Sequence, residues 1–264
     1  NTVANAALAV ANSVSHYVSL FSQNISKPMA PQITKSYVAG DFSRCYDLMV
    51  STSKYGFLSL FLFSSPILVQ PEYFLGLWLK EVPAQSSIFL VLLIISELIN
   101  TLNMGIAEVV FARGDIKFYQ ISVNAIKVLS VFLAYVALSF GLNVCWMFGI
   151  YIIFDILTFF VRQWILVSKM KFDNSRLVRE VYTPVLMVFV LFLPCIFIAP
   201  CSSPLLSALV CCLYLILLIY FVALRISERR LIKNGIHTRI RRERGTDIGS
   251  ACGQLRLNNQ KKNN

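Results

Sequence analysis

The chain is 264 residues long, 57% hydrophobic and only 14% charged, against about a quarter charged in soluble globular domains. That balance excludes an ordinary water-soluble fold and makes a bilayer the expected solvent. The formal net charge of +11 does not point to a nucleic-acid partner, because the Lys and Arg residues sit between long apolar runs and in the tail rather than on one domain face.

A helix needs about 20 mainly apolar residues to cross a bilayer, and in lipid only helices and closed barrels satisfy the backbone. Seven runs meet that length, near 4–25, 47–69, 84–107, 119–140, 145–167, 182–200 and 203–224. The expected fold is therefore all-α, a polytopic transmembrane bundle of about seven helices over residues 1–224. The first run is the most polar, with Asn5, Asn12, Ser13, Ser15 and His16 among Ala and Val, and Pro28 and Pro31 are expected to end it and stiffen its exit. Between the second and third runs, residues 71–79 are aromatic and amphipathic, as expected of a segment at the membrane interface. The sixth run carries Pro194 in its middle. Residues 225–264 form a polar tail in which Arg239, Arg241, Arg242 and Arg244 cluster, expected to be disordered or to rest on anionic headgroups.

The connections order the charge. One set holds Lys27, Lys35, Arg44, Arg113, Lys117, Lys169, Lys171, Arg176, Arg179 and the basic tail, while the opposite set, 70–83, 141–144 and 200–202, holds only Lys80. Short cytoplasmic loops are enriched in Lys and Arg, so the basic set is assigned to the cytoplasm, with the first residue outside and the C-terminus inside. Asn1 to Asn5 show neither an initiator Met nor a basic region ahead of an apolar stretch, so they do not read as a signal peptide. The chain is expected to begin within a longer protein. Of the seven Cys, Cys195, Cys201, Cys211 and Cys212 lie in or beside apolar runs, and no C-x-x-C occurs. They read as small packing residues rather than metal ligands or disulfides.

Three stretches resemble one family. Residues 28–46, PMAPQITKSYVAGDFSRCY, resemble the cytoplasmic loop after the second helix of the C-terminal lobe in bacterial polysaccharide flippases of the multidrug, oligosaccharidyl-lipid and polysaccharide exporter superfamily. Residues 75–83, LGLWLKEVP, are similar to that family's L-x-L-W-L-G-x-V-P element, and 112–120, ARGDIKFYQ, to its A-T-G-K-I-K-x-Y-Q loop. Lys80 replaces a Gly, and Arg113 and Asp115 replace the usual Thr and Lys. The resemblance covers roughly residues 1–190 and implies most of the second lobe of a two-lobe transporter, with an N-terminal lobe as its missing partner. It further implies that an undecaprenyl-pyrophosphate-linked oligosaccharide is flipped across the bacterial inner membrane for surface polysaccharide synthesis. No cofactor is expected beyond a coupling ion, H+ or Na+.

Ionisable residues at membrane depth are costly and are expected to face a cavity. Glu97 is the deepest, and Asn100, Thr101 and Glu108 follow at spacings that continue one helix face. Asp155 and Arg162 lie two turns apart on another helix, and Asn5, Asn12 and His16 form a third stripe. Asn and His suit the sugar of such a substrate, while Lys54, Lys127 and Arg162 are the candidates to neutralise a pyrophosphate. The same three cations lie near cytoplasmic helix ends, where snorkelling to headgroups is the competing reading. A buried helix–helix hydrogen bond is the competing reading for Glu97, and for His16 packing is the leading one. No G-x-S-x-G, H-E-x-x-H or Gly-rich phosphate loop is present, so no enzyme is indicated. Two alternatives remain open at this point, a cation-coupled drug exporter of the same superfamily and a membrane-embedded polysaccharide polymerase or acyltransferase.

Overall fold

The computed structural model describes residues 2–114, 116–170, 172–198, 203–224 and 228–229. The basic tail, apart from 228 and 229, and the short connection at 199–202 lie outside the described residues, as do Asp115 and Cys201. Among the described residues every regular element is helical, so the chain is all-α. In order these are α1 (Thr2–Val38), α2 (Phe42–Val69), α3 (Pro71–Trp78), α4 (Ser86–Thr101), α5 (Met104–Arg113), α6 (Ile116–Ser139) and α7 (Val144–Met170). Then α8 (Asn174–Leu177) runs through a π-helical turn, Val178–Tyr182, into α9 (Thr183–Ile198), and α10 (Pro204–Leu218) ends in a second such turn, Ile219–Ala223.

Four helical stretches are long and apolar enough to cross a membrane, namely Ile116–Ser139, Val144–Met170, Asn174–Ile196 and Pro204–Ala223. Two further spans arise if each bent pair counts as one, α2 with α3 at 90° and α4 with α5 at 45°. The chain is thus a multi-pass membrane protein with four to six such spans. The first expected span, 4–25, is embedded in the 37-residue α1, which is not among the helices apolar enough. Its Asn and Ser content lowers its apolarity, and it packs on α2, α4 and α5 instead.

Pro28 and Pro31 do not end α1, contrary to the sequence expectation; the helix continues through both to Val38. Each proline removes the amide that would serve the carbonyl four residues back, a loss a helix packed against three others tolerates. The family-like stretch 28–46 is accordingly mostly helix, with a tight turn at 39–41. Gly40 takes φ +74°, a left-handed conformation that suits glycine, and Asp41 then caps α2 by accepting the Arg44 amide at 3.1 Å. Of the stretch around Trp78, Pro71–Trp78 is a helix bent 90° from α2, and residues 79–83 follow it without helix.

The core gathers around α2, which touches α1, α4, α5, α9 and α10. Met49, Leu60 and Phe61 are fully buried there, and Phe61 meets Phe192 edge-on with ring centroids 5.1 Å apart. Helices α6 and α7 pack chiefly on one another and present Phe132, Tyr135, Ile153 and Phe160 outward, the exposure expected of a lipid-facing surface. One end of the bundle is basic. There Tyr46 Oη donates to the Asp173 carbonyl at 2.6 Å, Arg113 Nη1 donates to the Lys169 carbonyl, and Arg176 pairs with Asp47 and Glu180. At the other end Gln70 Nε2 donates to Ser207 Oγ at 3.4 Å.

Candidate functional site

The face of α4 that carries Glu97, Asn100 and Thr101 meets α1, α5 and α7 in a polar cleft of about 350 Å³. From α1 come Gln23, Ser26 and Lys27; from α5, Met104, Ala107 and Glu108; from α7, Arg162. Spacings of three, four and eleven residues place Glu97, Asn100, Thr101 and Glu108 on one wall, and the 45° bend between α4 and α5 does not separate them. Glu108 accepts from Ser26 Oγ at 2.7 Å, which ties α1 to α5 across the cleft. Arg162 is half-buried, and its Nε is buried with no hydrogen-bond partner among the described residues. A guanidinium nitrogen in that state is a donor awaiting an acceptor.

The other candidates are distributed around this cleft rather than in it. Asp155 is 9% exposed on α7 and accepts from Ser96 Oγ of α4, one residue before Glu97. Asn5, Asn12 and His16 are exposed on α1, and Lys127 is exposed on α6. Lys54 is 2% exposed with its Nζ 5.5 Å from the Tyr55 ring centroid, so it does not snorkel to headgroups and does not line the cleft. Of the three cations singled out for a pyrophosphate, Arg162 alone lines it.

Two features escape the sequence reading. Gln23, Ser26 and Lys27 continue the stripe begun by Asn12 and His16 at spacings of seven, three and one, and extending that stripe past residue 25 would have found them. The second is a buried polar knot at the α4–α5 bend. Asn103, 1% exposed, donates to the Phe159 carbonyl at 3.2 Å and accepts from Gln163 Nε2 at 2.7 Å and Tyr182 Oη at 3.1 Å. On its other side α4 borders an apolar groove of about 300 Å³ with Leu98, Ile99 and Leu102 against Phe57, Phe159 and Phe189. One helix thus divides a polar cleft from an apolar groove.

No family model matches the chain, and no solved structure matches it. A stretch of 30 residues is 67% identical to the probable dual-specificity RNA methyltransferase RlmN of Thermotoga maritima, covering 11% of this chain and 9% of that protein. The chain therefore spans less than a tenth of that relative's length. A stretch so short assigns neither fold nor activity to a bundle of membrane helices.

Proposed function

We propose that the chain belongs to a transporter, not an enzyme, that moves a lipid-linked oligosaccharide across the bacterial inner membrane for surface polysaccharide synthesis. In this reading the basic end and the C-terminus are cytoplasmic, and an N-terminal lobe completes the cavity. The observation that carries it is the polar cleft between membrane-type helices, where Lys27 and Arg162 lie with Glu97, Asn100 and Glu108. A pyrophosphate calls for the unpartnered Arg162 Nε and for Lys27, and sugar hydroxyls call for Asn100, Gln23 and the carboxylates. Opposed charges in one cleft also suit a site that rearranges its pairs as two lobes rock.

The test is reconstitution of the full-length protein in vesicles with a fluorescently labelled undecaprenyl-pyrophosphate oligosaccharide. Leaflet transfer above that of empty vesicles is expected; transfer at the empty-vesicle rate would sink the reading. A cation-coupled drug exporter is the second reading, favoured by Asp155 and Glu97, two carboxylates on neighbouring helices linked through Ser96, which donates to Asp155 and directly precedes Glu97. Glu97→Gln that abolishes drug efflux while surface polysaccharide stays intact would select it.

A further inference from the structure

At the basic end of the bundle a smaller pocket of about 90 Å³ lies between α5, α6 and α7. Its polar lining is Arg113, Lys169 and Tyr119, and its walls are Val110, Ile165 and Met170. Arg113 closes the last turn of α5 against the last turn of α7 by donating to the Lys169 carbonyl. Lys169 Nζ sits 5.1 Å from the Phe118 ring centroid, so the ammonium is held over the first turn of α6. Both cationic side chains are exposed. Tyr119 is the opposite case, only 3% exposed, with a hydroxyl that has no hydrogen-bond partner among the described residues. A buried hydroxyl in that state is an unfilled donor, and its residue lines the same pocket as the two cations.

The surroundings narrow the ligand. The pocket lies where α7 ends and α6 begins, and both helices are long and apolar enough to cross a membrane, which places it at headgroup depth. Cations and a hydroxyl donor call for phosphate oxygens, whereas three aliphatic walls call for a hydrocarbon portion on the same molecule. A free phosphate would leave those walls unused.

We propose that this pocket binds the phosphate headgroup of an anionic membrane lipid. Arg113 and Lys169 hold the phosphate charge, the Tyr119 hydroxyl donates to one of its oxygens, and Val110, Ile165 and Met170 take the glycerol and the first methylenes. The site shares no residue with the polar cleft, so it stands whether or not the chain moves an oligosaccharide.

The experiment uses the full chain in phosphatidylcholine vesicles, with Trp78 and Trp146 replaced by Phe so that Trp164 reports alone. Trp164 lies beside the pocket, its ring centroid 6.3 Å from that of Phe118. Quenching by brominated phosphatidylglycerol is compared with quenching by brominated phosphatidylcholine. The phosphatidylglycerol preference is expected to fall roughly fivefold in Lys169→Gln, the loss of one cation near a charged headgroup. Arg113→Gln should fall similarly and Tyr119→Phe less. Because the Lys169 side chain is exposed, its variant reads the site even if Arg113→Gln weakens the fold. Lys80→Gln, from the connection at the other end, should leave the preference unchanged. Three results would each overturn the proposal: an unaltered preference in Lys169→Gln, an equal loss in Lys80→Gln, or loss of the preference when inorganic phosphate replaces chloride at equal ionic strength. The last would make it a site for free phosphate.

Discussion

The Gly105 amide donates to Ser53 Oγ at 3.1 Å, and a Cβ on Gly105 would stand 2.1 Å from the Met49 carbonyl oxygen. The first turn of α5 therefore lies directly on the backbone of α2, an approach only glycine permits. Close backbone contact of this kind is how helices associate where lipid removes the hydrophobic drive between them. Gly105→Ala is expected to cost about 3 kcal/mol or more, the upper range for overpacking against rigid backbone. Thermal unfolding in detergent measures it. Gly149→Ala, with nothing within 4 Å of the added Cβ, is the control and should be near neutral.

Asn103 does for the bend what Gly105 does for the contact. Its amide serves the Phe159 carbonyl, Gln163 and Tyr182, so α7 and the π-helical turn before α9 are both fastened to the point where α4 gives way to α5. Asn103→Ala removes three bonds from a buried position, leaving Gln163 and Tyr182 bonded only to each other, and is expected to cost about 1–3 kcal/mol. Tyr182→Phe should cost less, because Gln163 still reaches Asn103. If Asn103→Ala unfolds no earlier than Asn124→Ala on the exposed face of α6, the knot does not hold the bend.

How far the sequence disclosed these features follows from what periodicity can and cannot register. Apolar runs located the six later segments because their length reflects the bilayer, and the Glu97–Asn100–Glu108 wall was legible because helical spacing survives a modest bend. The bend itself left no signal, since Leu102 and Met104 keep the run apolar on either side of Asn103. The exit of α1 was misread at Pro28 and Pro31, because the proline rule describes a helix whose neighbours are unknown, and packing on three helices overrode it. Lys54 was misplaced for a related reason. Depth along a helix suggested a headgroup, yet its position on the buried face of α2 decides its environment.

Arg162 separates the cleft reading from one based on net positive charge. Arg162→Gln removes the guanidinium and is expected to lower leaflet transfer at least tenfold, the value of roughly one charge-assisted hydrogen bond. Arg162→Lys keeps the charge but loses the buried Nε donor, so it should recover only part of the rate. Lys127→Gln, exposed on α6 outside the cleft lining, should change transfer less than about threefold, since no cleft-lining group is lost and an exposed charge is screened. Equal losses in Arg162→Lys and Arg162→Gln would mean that geometry matters; full recovery in Arg162→Lys would reduce the residue to a point charge.

Asp173, in the connection after α7, gives the basic end a pH dependence of defined sign. The Ser175 amide and hydroxyl donate to its carboxylate at 2.9 and 2.8 Å, and these bonds hold the carboxyl below the usual aspartate range. A carboxylate depressed in the folded state adds stability that is complete above its unfolded value, near 3.8, and disappears as pH falls through the folded value. The cap lies next to the Tyr46 hydroxyl bond to the Asp173 carbonyl, so losing it should loosen α8 from α2. Acid titration of unfolding in detergent is expected to show wild type losing stability below about pH 4 more steeply than Asp173→Asn, whose side chain still caps but does not titrate in that range. The two proteins should converge at lower pH, where both side chains are neutral. Parallel titration curves with no convergence would assign the acid sensitivity of this end to the Asp47–Arg176–Glu180 cluster instead.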